Sequence, residues 1–91
     1  MHTKTWTVEI MIFEKDGGTA AHAVLYSESP EHIKAAGTAR RRPGDPDAPE
    51  IGDEVATGRA LIALGTTLLG VAADDIEGLQ VTAAEGGLPG G

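Results

Sequence analysis

The sequence predicts an α+β domain: a three-stranded antiparallel sheet packed on one face by a long C-terminal helix, in the order β-β-β-α with a short extra helix. Three observations carry that expectation. Residues 5–14 alternate apolar and polar side chains, as a half-buried strand does. An Asp-Gly-Gly turn then sends the chain back into a second alternating segment. Beyond its first two residues, segment 53–72 carries a single charge, Arg59. A helix of that composition has almost no solvent face and should be covered on more than one side.

In the first strand Trp6, Val8, Ile10 and Ile12 fall on one face and Thr5, Thr7, Glu9, Met11 and Phe13 on the other. The turn Lys15-Asp16-Gly17-Gly18 leads into residues 19–27, with Ala21, Ala23 and Leu25 on one face and His22, Val24 and Tyr26 on the other. Residues 32–42 read as a third strand or as a weak helix; Gly37 and Thr38 favour the strand, whose inner face (Ile33, Ala35, Gly37, Ala39) is mostly small.

A proline-rich loop over residues 43–49 connects this strand to the helix. Asp53 is expected to cap the helix, and Glu50, Asp53 and Glu54 place negative charge at its positive end. At 100° per residue, Val55, Ile62 and Leu69 form one edge of an apolar arc and Leu61, Leu64 and Leu68 the other, with Gly58 and Gly65 between them. Two glycines on a buried arc suggest close approach to a neighbouring backbone, for which the strand around Gly37 is the natural candidate, or else simple drift in a glycine-rich chain. The opposite side carries Ala56, Ala60 and Ala63. Either a second protomer meets it, or alanine is there as a good helix former.

Asp74-Asp75-Ile76-Glu77 fits a capping box that opens a short second helix, tucking Ile76 and Leu79 against the core. Residues 1–80 are then a single domain, and 81–91 a disordered tail.

Composition narrows the function. The chain has 91 residues, no cysteine, and seven basic against fourteen acidic side chains, a formal net charge of -7. Disulfides and thiolate chemistry are excluded. Long-range attraction to polyanions is opposed. The N-terminal residues lack a signal-peptide pattern, and the uninterrupted apolar runs fall short of the roughly 18 residues of a membrane span, so a soluble cytoplasmic protein is expected.

No catalytic residue, cofactor site or metal site is expected. His2, His22 and His32 lack metal-ligand spacing. The acidic pairs Asp45/Asp47, Asp53/Glu54 and Asp74/Asp75 lack a calcium-loop pattern, and Gly17-Gly18 lacks the lysine and hydroxyl of a phosphate loop. Two candidate surfaces remain. Met11, Phe13, Val24 and Tyr26 would form an apolar strip on the sheet face away from the helix, with Ala56, Ala60 and Ala63 as a second surface. Arg40, Arg41 and Arg42 form the one dense basic run and are candidate phosphate contacts, although a charged strand end is the simpler reading.

The opening strand TWTVEIMIFEKDG, the segment GTARRRPGD, and IGDEVATGRALIALGTTLL followed by DDIE resemble a family of short actinobacterial proteins of unknown function. The resemblance covers residues 5–79. It is most specific in Ile51-Gly52-Asp53-Glu54 with Arg59-Ala60-Leu61 and in Asp74-Asp75-Ile76-Glu77. It implies an architecture similar to the double-stranded-RNA-binding domain, and no activity. A true domain of that kind begins with an RNA-contacting helix and opens its last helix with lysines; this chain begins with a strand and has Asp53-Glu54 there.

The function expected is that of a non-enzymatic interaction or accessory protein that self-associates, most simply as a dimer, and acts by binding an unidentified protein partner or a small molecule. Charge at Phe13 or Ala63 should then reduce association. One alternative is weak nucleic-acid binding through Arg40, Arg41 and Arg42. Another is a small enzyme with a site at a dimer cleft, which would need His22 or His32 beside a carboxylate.

Overall fold

The computed structural model describes residues 1–44 and 48–85, with side chains through Leu79. Strands β1 (Thr7–Lys15), β2 (Gly18–Tyr26) and β3 (Ile33–Arg40) form one antiparallel sheet in the order β1-β2-β3, followed by helix α1 (Pro49–Glu85). The expected fold class is what the chain adopts, and residues 32–42 do supply a strand. The acidic pair Asp45/Asp47 of the connecting loop lies outside the described residues.

The β1-β2 hairpin closes on Lys15 opposite Gly18, with φ of 48° at Asp16 and 74° at Gly17. Two positive φ values in a two-residue loop match the twist of the flanking strands, and Asp-Gly adopts them at little cost. The register sets Val8 opposite Leu25, Ile10 opposite Ala23 and Ile12 opposite Ala21, so the two apolar faces coincide as their alternation requires. On the other side of β2, Ala21 faces Gly37 and Ala23 faces Ala35.

α1 begins earlier than expected and does not stop. Pro49 opens it, a position where the missing N–H costs nothing, and the Ile51 N–H donates to the Ala48 carbonyl at 3.0 Å. Asp53 therefore lies inside the helix and is not its cap. The expected break before Asp74 is also absent: α1 runs through Asp74-Asp75-Ile76-Glu77, so the short extra helix is its continuation. Val71-Ala72-Ala73 contains no helix breaker, and an uninterrupted ladder satisfies the N–H groups a cap would have served. The expected tail, residues 81–91, shares residues 81–85 with the helix, and 86–91 lie outside the described residues.

The core is small-residue packing. Ala21, Ala23 and Leu25 of β2 meet Ala56, Ala60 and Leu64 of α1, with Ile10, Ile33, Ala35, Ala39 and Leu68 half-buried around them. Gly37 is the point of closest approach: a Cβ there would lie on the backbone of Ala56 and Ala60 and 2.8 Å from the Arg59 carbonyl carbon. This reverses the expected orientation of the helix. Ala56 and Ala60 are 0% exposed, while Ile62 is 72% and Leu69 74% exposed. An alanine-glycine floor on β2 and β3 admits an alanine ridge at short distance, whereas isoleucine or leucine at those positions would hold the helix off the sheet.

Candidate interaction surfaces

The two sheet faces and the two sides of α1 differ in what covers them. α1 lies over β3 and β2 and barely reaches β1. Trp6, Val8 and Ile12, although on the inner face, therefore remain exposed beside the helix. Of the arc expected to be buried, only Leu64 is buried and Leu68 half-buried; Val55, Leu61, Ile62 and Leu69 are exposed. Gly58 and Gly65 have open space where a side chain would be, so the close approach expected at these glycines is made at Gly37 instead.

Ala56 and Ala60, expected on an open association surface, are core residues, and Ala63 is half-buried. Ala56 and Ala60 are therefore not available to a partner.

The outer sheet face keeps part of the expected strip. Met11, Phe13 and Tyr26 are exposed, with Phe13 at 52%. Val24 is not: it sits on the central strand between Glu9 and Lys34 and is 7% exposed. Aromatic contacts line this face, with the Phe13 and His22 rings 5.1 Å apart and the Tyr26 and His32 rings 4.4 Å apart, both tilted. His22 and His32 thus serve as ring partners. Among the described residues, no group of three or more His, Asp or Glu comes together as a metal site.

The end of the sheet at the β1-β2 turn holds the basic run. The Arg41 N–H donates to the Gly17 carbonyl at 3.0 Å, carrying β3 pairing past its last strand residue. Arg59 Nη1 donates to the Thr38 carbonyl at 2.8 Å and ties α1 to β3. Arg40, Arg41 and Arg42 share a cleft of about 950 Å³ with Lys15, Arg59 and the first turn of α1. Glu14 and Asp16 line the same cleft, so its charge is mixed.

Glu14, on the inner face of β1, meets Asp53 of α1. The Asp53 carboxylate raises the Glu14 pKa above its ordinary value of 4.5, first by accepting a hydrogen bond from the protonated acid and then by repulsion of the ionised form, with desolvation adding to both. Asp53 Oδ1 is shut off from solvent without a donor. Two ionised carboxylates have no proton to share. This pair on the strand that α1 barely covers escaped the sequence, because alternation places Glu14 inward but does not say which helical residue faces it.

A family model described as Rv2632c-like matches residues 4–85, nearly all of the described chain. The chain belongs to the Rv2632c-like family. It is similar to the uncharacterized protein Mb1767 of Mycobacterium bovis, 46% identical over 72 residues that span 79% of this chain and 76% of that one. It is also similar to the uncharacterized protein Rv2632c of Mycobacterium tuberculosis, 38% identical over 74 residues spanning 81% and 78%. The crystal structure of Rv2632c superposes with a TM-score of 0.78 at 36% identity, covering 86% of this chain and 92% of that one. The resemblance to a family of uncharacterised actinobacterial proteins thus holds, and with it the sheet-and-helix architecture similar to the double-stranded-RNA-binding domain.

One expectation needs correction at this level. Counting uninterrupted apolar runs leaves nothing of membrane-span size, yet Pro49–Leu79 is long and apolar enough, by length and composition, to cross a membrane. Scattered glycines and threonines interrupt the runs without lowering the average much. What the fold adds is that Ala56, Ala60 and Leu64 of this helix are docked on a sheet.

Proposed function

We propose that this Rv2632c-like protein is a non-enzymatic, self-associating domain of the cytoplasm. The observation that carries the reading is the inversion of its packing. Alanine fills the core while Ile62, Leu69 and Leu79, each more than 70% exposed, stand outside it. At roughly 1.5 to 3 kcal/mol for each aliphatic side chain fully buried, most of the burial this sequence can offer is left for contact between molecules. Exposed Trp6, Val8 and Ile12 on β1 add to that surface. The test is the solution mass by light scattering over a concentration series. A dimer mass persisting to micromolar concentration is expected, and a monomer mass throughout would overturn the reading.

A second reading is favoured by the cleft that gathers Arg40, Arg41, Arg42, Arg59 and Lys15 beside the start of α1. It would take a phosphate backbone, weakly, because the chain carries a net charge of -7 and because Glu14 and Asp16 line the same cleft. Binding of a short RNA duplex at low salt, lost when Arg40 and Arg42 become alanine, is the expected result. No binding at low salt removes this reading.

A further inference from the structure

α1 presents a seam on the side turned away from the sheet. Gly58, Gly65 and Ala72 alternate along it with Ile62, Leu69 and Ile76, at spacings of four and three residues, and Leu79 continues the series. This is a heptad a/d pattern in which the a positions (Ile62, Leu69, Ile76) are large and the d positions (Gly58, Gly65, Ala72) small, with Leu79 as the large residue that closes the d series. Ile62, Leu69, Ile76 and Leu79 are exposed, and Gly58 and Gly65 border open space. No charged residue occurs between Arg59 and Asp74.

We infer that two copies of this chain pair back to back and antiparallel through α1, in a register centred on Thr67. The inference rests on the self-association reading and supplies its geometry. An antiparallel pair sets a positions against d positions of the partner helix. Centred on Thr67, Gly58 meets the partner's Ile76, Ile62 meets the partner's Ala72 and Gly65 meets the partner's Leu69, a small residue against a large one at each of these layers, and the seam ends where Leu79 meets the partner's Val55. A parallel pair would stack glycine on glycine and isoleucine on isoleucine, alternating voids with bulges.

The charge of the helix ends does not set the direction, because Glu50, Asp53 and Glu54 outnumber Arg59 at the first end while Asp74, Asp75 and Glu77 make the other end acidic as well; the small-against-large layers do. Both sheets hang on the outer sides of the helix pair, because the seam lies opposite Ala56, Ala60 and Leu64. The drift of a 3.5-residue seam on a 3.6-residue helix gives a shallow left-handed crossing of about 20°.

The chain has no cysteine, so single cysteines report the register directly. Differently tagged Gly58→Cys and Ile76→Cys chains, co-expressed and then oxidised, should form the mixed disulfide dimer. Each variant expressed alone should cross-link at least tenfold less, because its own two thiols would lie about 27 Å apart along the pair. Efficient cross-linking of each variant alone would show a parallel pair and overturn the inference. A dimer mass with neither cross-link would overturn the inference and leave self-association standing on another face. A monomer mass would overturn both, and insertion of that monomer into phosphatidylglycerol vesicles would identify the helix as a lipid-seeking one.

Discussion

Gly37 and Glu14 are the two residues whose replacement reads the fold most directly. A Cβ at Gly37 would meet helix backbone, which cannot swing aside as a flexible side chain can. Gly37→Ala should therefore cost about 1 to 3 kcal/mol in urea unfolding. Gly70→Ala, where nothing lies within 4 Å, should gain roughly 0.5 to 1 kcal/mol by the ordinary helix preference. Equal effects at the two sites would mean that α1 does not touch β3 at Gly37. Glu14 gives a pH signature. Its pKa is raised in the folded chain, so the stability its proton contributes is fully present below the ordinary value of 4.5 and is lost as pH rises through the raised value. At neutral pH, two ionised carboxylates oppose each other there. Glu14→Gln keeps a donor beside Asp53 at every pH, so its Tm should exceed that of the parent at pH 7 and match it at pH 4. Glu14 is exposed, so the gain should be small and should shrink with added salt. A Tm difference independent of pH would show that the two carboxyls do not interact.

At the scale of the elements, the strands follow from local pattern and the helix does not. Alternation and the Asp16-Gly17 turn leave a single register in which Val8, Ile10 and Ile12 share a face with Ala21, Ala23 and Leu25, so pairing and facing are legible from the sequence. The orientation of α1 is decided by fit instead. A hydrophobicity-weighted wheel points Ile62 and Leu69 inward, because it counts apolar mass and ignores the depth of the surface being met. The clue was present in the small residues themselves: Gly52, Ala56 and Ala60 recur every fourth residue on the helix, matching the alanines and glycine of β2 and β3. The same limit affected the surfaces. Met11, Phe13 and Tyr26 were legible as exposed, whereas Val24 needed the knowledge that β2 is the central strand. Continuity of α1 through Asp74 can be tested in the same terms. In a helix start, Asp74→Ala would cost about 1 kcal/mol. In an uninterrupted helix it replaces a poor helix former with the best, so unchanged or slightly increased stability by thermal unfolding is expected, and a clear loss would restore the break.

The whole molecule measures 63 × 29 × 22 Å, long for its mass, because the helix outruns the sheet. Thirty-seven residues of α1 extend about 55 Å, while the nine-residue strands β1 and β2 span roughly 30 Å. No arrangement of one helix on one sheet of that size can cover both. The side of the helix that the sheet leaves uncovered carries Ile62, Leu69, Ile76 and Leu79, which is the opposite of what an isolated surface helix needs. In the proposed pair a second copy completes the helix, and the outer sheet face with Met11, Phe13 and Tyr26 stays open. Two substitutions separate these surfaces. Ile62→Glu places a charge on the seam where the side chain is 72% exposed, so the single chain should keep its circular dichroism spectrum while the light-scattering mass falls to that of one chain. Phe13→Glu, at a 52% exposed position across the sheet from α1, should leave the mass at that of two. The reverse outcome, dimer retained with Ile62→Glu and lost with Phe13→Glu, would move self-association to the outer sheet face and leave α1 as the surface for a different partner.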